Sequence, residues 1–129
     1  MRVLYIDDDR ITSLLFLEAC RFAGGVETET AASGAEALEV AQRWAPDLLV
    51  IDLHLPDTNG YALLLALRSA LAAPTLPAYL CTADEAASVA EPARDAGFDG
   101  CWGKPVDLQA ILGELARRSG QAAPRMPAA

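Results

Sequence analysis

Asp7-Asp8, Asp52, Thr82 and Lys104 each stand at or just past the end of a short apolar run, at 3–6, 48–51, 79–81 and 101–102. Three carboxylates brought together repel one another and are costly unless a cation joins them. Oxygen ligands at that density suit Mg²⁺, which keeps several of its waters. A hydroxyl (Thr82) and an ammonium (Lys104) beside them complement the oxygens of a phosphoryl group. The set therefore has the chemistry of a metal-assisted phosphoryl site in which a carboxylate accepts the group. Lys104 is the chain's only lysine, against nine arginines. A compact ammonium on a flexible stem, rather than a planar fork, fits that position. Asp9 extends the acid cluster and is expected to face solvent or cap the helix that follows.

For these groups to meet, their runs must be parallel strands ending at one sheet edge. Residues 3–6 read as a fully buried strand, and 47–53 give the strongest buried-strand pattern in the chain. Strands are also predicted at 26–32, 77–82 and 100–102. Between them, Ile11, Leu14, Leu15, Glu18, Ala19 and Phe22 follow helical spacing up to Gly24-Gly25. Ser33-Gly34-Ala35-Glu36 forms a capping box for a second helix, which carries Ala37, Leu38, Val40, Ala41 and Trp44 and stops at Pro46. A loop at 56–60 precedes an apolar helix at 61–72. Asp107 can cap a last helix with Leu108, Ile111, Leu112 and Leu115 on its apolar face. Pro92 predicts a shortened fourth helix starting near Glu91-Pro92, with a long loop before it. The alternation of strand and helix, five times over, gives a doubly wound five-stranded parallel sheet of flavodoxin-like (βα)5 type, a three-layer α/β sandwich. Such sheets bind ligands at the carboxyl ends of their strands.

The 129 residues suit one domain, expected over 1–118, with a flexible Ala/Pro-rich tail or linker at 119–129. A net charge of −8 argues against nucleic acid or an anionic membrane as a direct partner. Three cysteines without a CxxC spacing fit reduced thiols in a cytoplasmic protein. No apolar run approaches the ~20 residues of a membrane span, and the first residues carry no signal-peptide pattern.

Together these residues resemble the receiver domain of two-component response regulators. The matching positions are Asp7-Asp8, Asp52 within Val50-Ile51-Asp52-Leu53-His54-Leu55-Pro56-Asp57-Thr58-Asn59-Gly60, Thr82-Ala83 and Lys104-Pro105. The resemblance covers about residues 1–118. It implies that Asp52 accepts the phosphoryl group from a phospho-histidine on a histidine kinase or histidine phosphotransfer domain. Asp8, Asp52 and the backbone carbonyl of His54 would bind Mg²⁺ directly, and Asp7 largely through water. Thr82 would bond a phosphoryl oxygen, and Lys104 would pair with Asp52 before modification and with the phosphoryl group after it. Lys104-Pro105 would be a cis bond. Output would pass to an effector protein through the face of helix four, strand five and helix five. Receivers of hybrid histidine kinases often carry a similar His-Leu-Pro-Asp stretch and a Trp two residues before the Lys.

Cys101 departs from the family pattern. An aromatic usually stands three residues before the Lys and couples its rotamer to the Thr after strand four. Trp102 lies one residue later, on the opposite face of the strand, and cannot simply substitute. It is expected under the last helix or half exposed. Cys20 and Cys81 read as small buried apolar residues. The imidazole of His54 stands where it could alter water access to a phosphorylated Asp52. Two alternatives compete with the receiver reading. A pseudo-receiver would bind partners without phosphorylation. A haloacid-dehalogenase-like phosphatase would use Asp7, but residues 7–11 miss that motif at the fifth position and Asp52 would be left unexplained.

Overall fold

The computed structural model describes residues 1–84, 86–104 and 107–119. The expected Lys104-Pro105 bond geometry and the tail beyond 119 lie outside the described residues. Five strands alternate with five helices: β1 (Arg2–Ile6), α1 (Arg10–Ala23), β2 (Glu27–Ala31), α2 (Gly34–Trp44), β3 (Leu48–Asp52), α3 (Gly60–Ala70), β4 (Ala78–Thr82), α4 (Ala86–Asp95), β5 (Gly100–Gly103) and α5 (Leu108–Ser119). All pairings are parallel, in the order β2-β1-β3-β4-β5. This is the doubly wound arrangement expected, with its switch point between β1 and β3. No helix among the described residues is long and apolar enough to cross a membrane.

Strand alternation divides the interior in two. Leu4, Ile6, Leu49, Ile51, Ala78 and Leu80 face α2, α3 and α4, where Val40, Leu63, Leu64 and Leu67 meet them. Val3, Tyr5, Leu48, Val50, Tyr79 and Cys81 face α1 and α5, where Phe16, Cys20, Ile111, Leu112 and Leu115 meet them. Burial on both faces is why the strands read as unbroken apolar runs.

Two expectations are corrected. Of the residues at helical spacing in α1 only Ala19 is buried: Ile11, Leu14, Leu15, Glu18 and Phe22 are exposed, and the buried face is Ser13, Phe16, Ala19 and Cys20. The helix carries two apolar stripes, and only one can face the sheet. Phe16 decides it by stacking on Tyr5, ring centroids 4.3 Å apart and 18° from parallel. The fourth helix is not shortened either. It runs over Ala86–Asp95 with Pro92 inside it. An interior proline removes one helical hydrogen bond and crowds the preceding turn. Burial of Val89 and Ala93 on one helical face, against the core that includes Phe98, offsets that cost.

Candidate phosphoryl site

The register brings the acids together. Ile6 pairs with Ile51, so Asp7 and Asp52 follow side by side at the ends of adjacent central strands. Cys81 pairs with Asp52 and Thr82 with Gly103, so Thr82 and Lys104 arrive at the same edge one residue further on. The Lys104 N–H donates to the Thr82 carbonyl at 2.8 Å and fixes the ends of β4 and β5 to each other.

Asp7 and Asp52 are buried and Asp8 is exposed, and one carboxylate oxygen from each lies within 4.8 Å of the others. Lys104 Nζ sits 2.8 Å from Asp7 Oδ2 and 3.1 Å from Asp52 Oδ2. One ammonium thus bridges two carboxylates. Burial pushes the Asp52 carboxyl above its ordinary range, Lys104 pulls it back, and the neighbouring Asp7 adds to the rise. Burial alone would lower the Lys104 ammonium, but its bonds to Asp7 and Asp52 outweigh that and raise it. Three carboxylates against one ammonium leave excess negative charge in an all-oxygen donor set. Those residues fit a hard divalent cation.

The other expected groups fall around this centre. Thr82 is fully buried, and its Oγ1 accepts the Asp84 N–H at 2.9 Å. A threonine hydroxyl that accepts one bond can also donate one. Asp9 is the N-cap of α1, accepting from Ile11 and Thr12, and its carboxyl is held low by those N–H groups. Asp7 Oδ1 accepts the Asp9 N–H at 2.9 Å, which fixes the acidic turn. His54 is exposed at the rim, and its imidazole pairs with Asp84 at 3.1 Å. Sequence reading missed Asp84, because its partner lies 30 residues away in another loop.

The loop from Leu53 to Asn59 is closed on itself. Gly60 N–H donates to the Leu53 carbonyl at 2.8 Å and Leu55 N–H to Thr58 at 3.2 Å. Gly60 is needed there: a Cβ would stand 2.7 Å from Leu80 Cδ1 and 3.0 Å from the Asp52 carbonyl. Asn59 then caps α3 by accepting the Ala62 N–H.

Beyond the site, Trp102 lies on the α5 side, stacked on Tyr79 at 4.4 Å and 6°. Cys101 faces the α4 side, beside a cleft of about 240 Å³ lined by Ala90, Ala93, Arg94, Phe98 and Cys101 itself. Burial raises the Cys101 thiol, so it stays protonated at neutral pH.

The doubly wound sheet thus carries a carboxylate–lysine cluster at its switch-point edge. Residues 3–116 match the model of the response regulator receiver domain, and the chain belongs to that family. It is 35% identical over 115 residues to the response regulator MprA of Mycobacterium leprae, covering 89% of this chain and 49% of that protein. It is 32% identical over 137 residues to the virulence sensor protein BvgS of Bordetella bronchiseptica, covering all of this chain and 11% of that protein. The chain thus spans about half the length of MprA and a small part of BvgS. Its fold is similar to the chemotaxis protein CheY4 of Vibrio cholerae, with a TM-score of 0.81 and 28% identity over 90% of this chain and 96% of that one. Receivers accept phosphoryl groups in two-component signalling and act with histidine kinases and effectors, rather than as classical enzymes.

Proposed function

We propose that this chain takes a phosphoryl group from a phospho-histidine onto Asp52 in a two-component phosphorelay and signals by a shift of conformation. The observation that carries this is the Lys104 ammonium bridging Asp7 and Asp52 at 2.8 and 3.1 Å. A buried carboxylate already paired with a cation is poised to exchange that partner for phosphoryl oxygens. An Asp52 oxygen forms the bond to phosphorus, the P–N bond to the donor imidazole breaks, and the electron pair leaves with that nitrogen. Asp7, Asp8, Asp52 and the His54 carbonyl would hold Mg²⁺, which when bound offsets the charge of the carboxylates and phosphoryl oxygens. Thr82 and Lys104 then donate to those oxygens. Their new bonds bias a two-state equilibrium toward the active form. The donor is a histidine kinase or phosphotransfer domain, and output passes to an effector protein on the α4–β5–α5 face.

Incubation with Mg²⁺ and acetyl phosphate, followed by intact-mass measurement, tests this. One phosphoryl adduct, absent in Asp52→Ala, is the expected result. An adduct retained in Asp52→Ala and lost in Asp7→Ala would mean phosphatase-type chemistry instead. No adduct at all would leave a pseudo-receiver.

A further inference from the structure

Asp57 ties the loop that follows Asp52 to a helix that supplies no site residue. Its Oδ1 accepts the Gly34 N–H at 2.8 Å and its Oδ2 accepts the Ala35 N–H at 3.0 Å. These are the first two N–H groups of α2, which have no partner within their own helix. The third, from Glu36, goes to Ser33 Oγ at 3.2 Å. One N-terminus is therefore completed jointly by its own serine and by a carboxylate more than 20 residues away. The two N–H groups hold the Asp57 carboxyl below its ordinary range.

Packing agrees with the hydrogen bonds. A Cβ on Gly34 would stand 2.6 Å from Thr58 Cγ2 and 3.3 Å from Asp57 Oδ1. Glycine lets the loop seat directly on the helix. The loop is a closed unit, with His54 and Asn59 bridged across it. Fixing Asp57 therefore fixes the segment that carries the His54 carbonyl.

We propose that Asp57, seated on Gly34 and Ala35, is a positioning residue for the phosphoryl site: it holds the β3–α3 loop at the place where its His54 carbonyl serves the metal. The inference rests on the Mg²⁺ reading given above.

The test compares Asp57→Ala and Gly34→Ala with Ser33→Ala, which removes the other cap of the same helix end but leaves the loop tied. Calorimetric titration with Mg²⁺ should show about tenfold weaker binding in the first two and little change in Ser33→Ala, as for other residues that orient a metal ligand. Acetyl phosphate labelling of Asp57→Ala should return to the wild-type extent once Mg²⁺ is saturating. Without metal, amide exchange at Leu55 and Gly60 should speed up in Asp57→Ala alone of the two cap variants. Unchanged Mg²⁺ affinity in Asp57→Ala would overturn the proposal, as would equal weakening in Ser33→Ala, because helix stability would then account for it. If the unaltered protein bound no Mg²⁺, the reading of the site would fail, and the metal-free exchange data would still decide whether Asp57 holds the loop.

Discussion

The two sides of the sheet are built differently. On the α1–α5 side, aromatic rings are stacked in pairs: Tyr5 on Phe16, and Tyr79 on Trp102. The Tyr79 hydroxyl donates to Glu114 Oε1 at 2.6 Å and accepts from Arg118 Nε at 2.6 Å, so β4 is locked to α5. On the other side the layer is mostly aliphatic, α4 contains Pro92, and a cleft opens beside Cys101. Asp52 follows Val50 in the alternation and so falls on the aromatic side, as does Asp7, whose Oδ2 lies 3.5 Å from the Tyr5 hydroxyl. Thr82 follows Leu80 and falls on the mostly aliphatic side. The charged half of the site thus rests on the stacked, hydrogen-bonded layer, and the hydroxyl expected to report phosphorylation lies on the mostly aliphatic side.

Phe16→Ala should show the contrast most strongly. The ring is fully buried, and its removal should cost about 3–5 kcal/mol in urea denaturation. Cys101→Ala, beside the cleft on the other side, should cost about 1 kcal/mol or less. Comparable losses would break the contrast. Within α1, Leu14→Ser should change stability by no more than about 0.5 kcal/mol, since Leu14 is 58% exposed.

Next in size is Tyr79→Phe, which keeps the stack and removes the hydroxyl between Glu114 and Arg118. A loss of about 1–2 kcal/mol is expected, with phosphoryl labelling of Asp52 unchanged. Cys101→Phe asks whether the cleft is usable space. A change within about 1 kcal/mol would mean the ring enters the cleft, whereas overpacking would cost about 1–3 kcal/mol.

Asp52→Asn should stabilise the metal-free protein at neutral pH. The folded-state pKa of Asp52 is raised, so its ionised form is disfavoured by folding. The destabilisation is full above the folded pKa and vanishes below the unfolded one. The gain in melting temperature should therefore shrink as pH falls through the acid range. A gain that grew toward low pH would contradict the raised pKa.

Much of this was legible in the sequence because parallel strands end at a common edge. Once 3–6 and 48–51 are read as neighbouring strands, Asp7 and Asp52 have to meet. Ser33, Asp9 and Asp107 were legible as caps because a cap acts on the few residues that follow it; the Asp107 Oδ1 accepts the Ala110 N–H. Long-range choices were not legible. Periodicity in α1 cannot tell which of two apolar stripes meets Tyr5. Propensity at Pro92 cannot weigh the burial of Val89 and Ala93. Asp57 and Asp84 look like ordinary loop acids until the fold puts Gly34 beside one and His54 beside the other.

The smallest expected effect bears on the rim, where the two sides of the sheet meet. His54 and Asp84 are both exposed, so His54→Ala should cost about 0–1 kcal/mol in stability. Its kinetic effect is the informative one. The pair joins the β3–α3 loop, anchored on Asp57, to Asp84, two residues past Thr82 at the end of β4. Breaking it frees the Thr82 side of the pocket without touching Asp7, Asp52 or Lys104. Phosphoryl loss from Asp52, followed by intact mass over time, should quicken in His54→Ala and in Asp84→Ala by similar factors. An unchanged rate in both would mean that the imidazole is only a surface group and that water reaches the site by another route.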